Sequence, residues 1–265
     1  MLVRDRGEFW QLVRQPDHAD LSGQLARAWG GAAVAPLRNG ESLALAATRH
    51  DDGWAVFDRR PAWDSENGRP RNFLDVPIRS HLAFYRACIQ VVSEEDSYAG
   101  LMISMHGAGI YNGRYGTQPS LSLKNVEGHE DEVRSFVEEQ EAARPALVAE
   151  LGVGDAELWA NYRLLQLYDR LSLAFCLREW ESSEAQRDAI EPVPLDYDGG
   201  EAELSIDPVG PWRVRLDPYP FSERPARFTL VRKLLLKAPF AGNEDFRKAY
   251  FGTRAELVEI VAEGG

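Results

Sequence analysis

Residues 41–54 read ESLALAATRHDDGW, an Ala- and Leu-rich run that ends in a histidine and two adjacent carboxylates. Such groups are costly to bury unless something pairs with them. Taken at helical spacing, the apolar face runs Leu43, Ala47, His50, Trp54, Phe57, in steps of four, three, four and three, with a break allowed at Gly53. His50 therefore points where a core side chain belongs, and Asp51 lies beside it.

The same pattern recurs along the chain. One face carries His18, Leu21, Leu25 and Ala28, another His81, Tyr85, Cys88 and Val92, and in YAGLMISMHG His106 lies one turn beyond Met102. A longer stripe runs Leu158, Tyr162, Leu165, Asp169, Leu173, Cys176. Four of the five histidines and one carboxylate thus take core-facing positions on five separate helical segments. Singly, each reads as a hydrogen-bonded core histidine or an Asp paired with an Arg. Together they point to a shared divalent ion, which satisfies several such groups at once. His129, in NVEGHEDEV, has no apolar neighbours and reads as a solvated histidine at a helix start, with a place on an active-site lid as the alternative.

The chain has 265 residues, enough for one large domain with a sizeable core. Its net charge of −12, from 42 acidic against 30 basic residues and with no block of Lys or Arg, makes nucleic acid and anionic membrane poor general partners. A local cationic pocket for a small phosphorylated molecule stays compatible with that balance. The opening MLVRDRGEFWQLVRQ is too charged for a secretory segment, and no apolar run approaches membrane-spanning length, so a cytoplasmic location is expected. Cys88 and Cys176 both fall in apolar helical patterns and read as buried free thiols.

The expected architecture is a mainly-α single domain over 1–265, with a helical core at 15–182 and a β-rich appendage from 1–14 and 191–265. An N-terminal hairpin turns at Arg6-Gly7. Helices are predicted over 15–30, 41–50, 79–93, 97–106, 129–150 and 154–182, with a Gly-rich loop behind His106. Beyond residue 191, AELSI, WRVRL and ARFTLVRKLLLKAP read as strands, and a last short helix starts near 243. The hairpin and these strands are expected to form one small antiparallel sheet.

The ordered set His18, His50-Asp51, His81, His106, Asp169 resembles the HD-domain superfamily of metal-dependent enzymes, in its two-metal form. DHADLSGQLA is similar to that superfamily's first-histidine helix, HDDGW to its doublet and following Gly, and YDRLSLA to its terminal Asp helix, over about residues 15–180. The resemblance implies an HD-like helical bundle in which His18, His50 and Asp169 hold one metal, His81 and His106 the second, and Asp51 bridges. It departs at Trp54, where many members place a Lys or His, and the signature of the cyclic-dinucleotide phosphodiesterases is not apparent, so no substrate class carries over. The whole chain also resembles a bacterial family catalogued as a domain of unknown function, through its DHA...SGQLA, HDDGW and SMH pattern.

The expected function is hydrolysis of a small phosphate ester by a dinuclear centre with a bridging hydroxide. Two divalent transition metal ions are expected, Fe or Mn foremost, with Zn, Ni or Co compatible with the ligand set. Asp51 bridges the metals and orients the attacking water, and Asp52 fixes a metal-bound histidine or is a solvated acid. Arg69, Arg71, Arg114 and Lys124 are candidate substrate contacts on loops, with ordinary solubilising charge as the competing reading. One alternative is a mixed-valence di-iron oxygenase, its reactive species shielded by Trp54, Tyr85 and Tyr111. Another is a non-catalytic binding or sensor module stapled by its metals. A small-molecule partner is expected, and a homodimer is compatible.

Overall fold

The computed structural model describes residues 1–117, 126–178 and 187–265. Its helices are α1 (Gln15–Ala28), α2 (Gly40–Arg49), α3 (Ala55–Asp58), α4 (Ile78–Glu95), α5 (Ser97–Gly109), α6 (Glu130–Leu151), α7 (Asp155–Leu177) and α8 (Asn243–Gly252). The end of the helix predicted to reach 182 lies outside the described residues. Among those residues no helix is long and apolar enough to cross a membrane.

The strands are β1 (Leu2–Arg6), β2 (Phe9–Val13), β3 (Trp63–Asp64), β4 (Arg69–Pro70), β5 (Asp188–Pro194), β6 (Glu201–Gly210), β7 (Arg213–Asp217), β8 (Ala226–Leu236) and β9 (Ala255–Gly264). β3 and β4 form a separate two-stranded hairpin. The other seven form one sheet in the order β1-β2-β8-β9-β7-β6-β5, with a single parallel pair, β7 and β9.

This corrects the expected mainly-α bundle with a small antiparallel sheet: about half the chain is helical, and the sheet is large, mixed and curled. The main cause is β9. Its sequence, AELVEIVAEG, is rich in helix-favouring Ala and Glu, yet it follows α8 and enters the sheet between β8 and β7, with Ile260 opposite Phe228 and Ala262 beside Val214. Partners distant in sequence set its conformation, as strand propensity is largely a matter of context. β2 reaches the C-terminal strands through β8, with Gln11 opposite Leu234.

Sheet and helices share one hydrophobic core. Leu21 and Leu25 of α1, Tyr168 and Phe175 of α7, and Leu230 and Ile260 of the sheet belong to one buried cluster. α1 packs on β8, and α7 on β5 and β1. α4 and α5 form a tight hairpin: the Asp96 carboxylate accepts from the Ala99 N–H at 2.8 Å, capping α5 where α4 ends. That reversal brings the first turns of α4, with His81 and Tyr85, beside the last turn of α5, with His106.

Candidate metal centre

The polar residues on the apolar stripes meet at one end of the helical layer. His18 lies in α1, His50 caps the end of α2, His81 of α4 and His106 of α5 both pack on Tyr85, and Asp169 lies in the middle of α7. Asp51 is held by the turn that leaves α2. That turn needs Gly53, because a Cβ there would lie 2.1 Å from the Phe84 carbonyl oxygen of α4. His18, His50, Asp51, His81, His106 and Asp169 are all buried, none more than 8% exposed.

One ligand atom each from His18, His50 and Asp169 converge, all within 4.8 Å of one another. His18 Nε2 stands 3.3 Å from Asp51 Oδ2 and 3.4 Å from Asp169 Oδ1. His50 Nε2 stands 3.8 and 3.6 Å from the same two oxygens. Most of these separations are long for hydrogen bonds, and His50 Nε2 is a buried atom with no hydrogen-bond partner. Ligands about 2.1 Å from a metal lie roughly 3.0–3.5 Å apart; the two His18 separations fall in that range and the two from His50 are slightly longer.

The other ring nitrogens are already committed. His50 Nδ1 donates to the Ala47 carbonyl at 2.9 Å. His18 Nδ1 meets the Ser172 hydroxyl at 2.5 Å, and Ser172 in turn donates to the Asp169 carbonyl oxygen at 2.9 Å. Both arrangements aim Nε2 into the cluster, the usual way a metal-binding histidine is oriented.

Charge points the same way. Burial pulls His50 down, but the Asp51 charge and the Asp169 carboxylate beside it outweigh burial and push its pKa up to about 9. Burial raises Asp51, and the His50 and His18 partners reverse this, taking it to about 2. Asp169, raised by burial, is carried well below the usual carboxylate range by His50. The proton on His50 thus occupies the position a cation would take. Burial pushes His81 down to about 4, and burial with the neighbouring Arg114 takes His106 to about 3, so both are neutral with lone pairs to offer.

His81 and His106 stand apart from the three-residue convergence among the described residues. His106 Nε2 is 4.0 Å from Asp169 Oδ2. His81 packs on Tyr85, with ring centroids 5.0 Å apart, and Tyr85 packs on His106 at 5.9 Å. Tyr85 also donates to Asp51 Oδ1 at 3.1 Å. The Tyr111 hydroxyl engages His81 Nδ1.

His18, Asp51, His81, His106 and Asp169 line a cleft of about 700 Å³. Its apolar lining includes Trp54, Phe73, Val76, Ile78 and Ile110, and Arg114, Gln166, Arg170 and His129 supply polar groups. Arg114 reaches it from a left-handed turn: Gly113, Arg114, Tyr115 and Gly116 have φ of 72°, 54°, 53° and 81°. For Arg114 and Tyr115 that conformation costs about 1–2 kcal/mol each, a strain typical of functional positions. His129, read as solvated, lines the cleft while its Nδ1 meets Glu132 Oε2 at 2.6 Å.

Other candidates lie elsewhere. Asp52 turns away to an ion pair with Arg49 and does not line the cleft, so it does not orient a clustered histidine. Arg69 is bound by both oxygens of Asp75, at 2.7 and 2.8 Å, and Arg71 is exposed; neither lines the cleft. Lys124 falls outside the described residues. The sequence reading did not single out Ser172 or Gln166. Ser172 lies one turn beyond Asp169 and Gln166 one turn before it, so the stripe that marked Asp169 carried a signal for both.

The fold and site together define an α+β protein with a buried histidine and carboxylate cluster at the base of an open cleft. The chain belongs to the family DUF3891, described as protein of unknown function, whose model matches residues 1–237. α8 and β9 lie beyond that match. No curated protein and no solved structure matches the chain.

Proposed function

We propose that the chain is a metal-dependent phosphohydrolase of HD type, acting on a small phosphate ester. The observation that carries this reading is the convergence of one ligand atom each from His18, His50 and Asp169 beside a cleft, with Asp51 Oδ2 3.3 Å from His18 Nε2. Two nitrogens and two carboxylate oxygens suit Mn, Fe, Zn, Co or Ni better than an all-oxygen cation. A transition metal bound there supplies Lewis-acid charge and an activated water.

The residues do the rest. Asp51 stays ionised at neutral pH, with Oδ1 tied to Tyr85 and Oδ2 facing the cluster, so it orients a water by accepting a hydrogen bond from it. His81 and His106, both neutral, extend the donor set toward the cleft and offer places for a second ion. The apolar wall of Trp54, Phe73 and Ile110 keeps bulk water from the reacting group. An open cleft over the cluster argues against a metal that only staples the helices, because structural sites are coordinatively closed.

The runner-up, a di-iron oxygenase, draws support from the aromatic rings around His81: Trp54 at 4.9 Å, Tyr85 at 5.0 Å and Tyr111 at 5.6 Å. Anaerobic purification, metal analysis and parallel assays separate the two. Phosphate release from a generic monoester that is lost with chelator and restored by Mn or Fe is the expected result. A mixed-valence iron signal with substrate-dependent oxygen uptake and no phosphate release overturns it.

A further inference from the structure

Beside the metal cluster, Arg114 Nε, Gln166 Nε2 and the Tyr162 hydroxyl are buried together and make no well-formed hydrogen bond among the described residues, although Arg114 and Gln166 lie close enough to the Tyr162 hydroxyl to interact with it. Unmade bonds of this kind are rare in folded proteins and costly. Gln166 and Tyr162 share the face of α7 that carries Asp169, one and two turns before it. Gln166 is 4% exposed, and its carbonyl oxygen accepts from the Thr117 hydroxyl at 3.1 Å, which leaves its NH2 group to be satisfied.

Arg114 arrives at the same place on the left-handed turn. Tyr115 anchors that turn, its ring 5.3 Å from both Trp159 and Tyr162 and its hydroxyl accepting from Arg144 at 2.6 Å. Arg114 and Gln166 both line the cleft with Asp169, and Arg114 Nη1 is 3.5 Å from His106 Nδ1. Behind them, burial pushes the Tyr162 hydroxyl up and Arg114 and Gln166 beside it pull it back. Gly109 makes the room, since a Cβ there would lie 2.1 Å from that hydroxyl.

We infer that Arg114 and Gln166, backed by Tyr162, form an oxyanion subsite for the non-reacting oxygens of a phosphoryl group lying against the metal cluster. The apolar lining of the same cleft takes the organic part, so the substrate class is a phosphomonoester of an apolar or aromatic alcohol. The inference rests on the phosphohydrolase reading only for the identity of the anion. Because Asp51 and Asp169 repel an anion in the metal-free cluster, binding requires the loaded protein.

The test is calorimetric titration of Mn-loaded full-length protein with inorganic phosphate and with phenyl phosphate, which needs no turnover. Wild type is expected to bind both, phenyl phosphate more tightly. Arg114→Gln should weaken phosphate about ten- to hundredfold at unchanged metal content, and Gln166→Leu should weaken it severalfold. Gly116→Ala, which meets no neighbouring atom and disturbs only a left-handed residue, should act in the same direction and stands in if Arg114→Gln does not fold. Wild-type affinity in these variants, or no phosphate binding by loaded wild type at millimolar concentration, overturns the subsite. Binding that follows Arg114 and Gln166 without turnover of any ester sinks the phosphohydrolase reading and leaves the subsite standing. Turnover with KM and phosphate affinity unmoved in the variants sinks the subsite alone.

Discussion

On the inner face of the sheet, Leu204, Ile206, Val214, Leu216, Phe228, Leu230 and Ile260 are all buried. The charged residues of the same strands alternate outward, where Arg227 meets Glu259 at 2.6 Å. Between α1, α2, α5 and α7, positions that are also buried carry His18, His50, His106 and Asp169. Apolar burial stabilises the fold at about 25 cal/mol per Å², whereas ionisable groups in the same setting cost free energy unless a counter-charge or ion meets them. The sheet and its helical backing therefore carry the stability, and the helical cluster is a cost that the cation of the proposed function would offset.

The largest effect expected from this contrast is in the sheet. Phe228→Ala should destabilise the protein by about 3–5 kcal/mol, read by urea denaturation, while the metal bound per folded molecule stays unchanged. Altered stoichiometry in the folded fraction would show that the two regions are not separable.

The cluster should respond to pH instead. Its metal-free form keeps a proton on His50 below about 9, and a cation must displace that proton. Metal affinity is therefore expected to rise as pH rises, about tenfold per unit and roughly a hundredfold from pH 6 to 8, and to level off above 9. A flat profile measured with a competing chelator over that window would contradict the His50 assignment.

A smaller effect falls on Tyr85→Phe, which removes the hydrogen bond to Asp51 Oδ1. Metal affinity should drop about tenfold with stability within about 1 kcal/mol of wild type; unchanged affinity would mean that Tyr85 does not orient the carboxylate. Smallest is Asp52→Ala, which breaks only the part-exposed pair with Arg49. Metal content and turnover should stay at wild-type levels and stability within about 1 kcal/mol. Loss of metal would restore Asp52 to the centre.

The two regions also differ in how far their sequences can be read. His18, His50, His81, His106 and Asp169 stand out because helical periodicity is local, so a polar residue on an apolar stripe is visible within two turns. The sheet order is not local. β2 pairs with β8 across most of the chain, and β9 is placed by β8 and β7 against its own Ala- and Glu-rich composition. Loop charges behave like strand order: Arg69 and Arg114 both follow Gly in Pro- or Gly-containing loops, yet Asp75 claims one and a left-handed turn delivers the other to the cleft. Asp52 illustrates the same limit, since its neighbour Asp51 faces inward while the ensuing turn hands Asp52 to Arg49.

The decisive observation is an anomalous-scattering map from crystals of the protein loaded with Mn or Fe. A peak within bonding distance of His18 Nε2, His50 Nε2 and an Asp169 carboxylate oxygen is the expected result. Metal bound elsewhere with that position empty, or a full complement of metal retained in His50→Ala and Asp169→Asn, would contradict it.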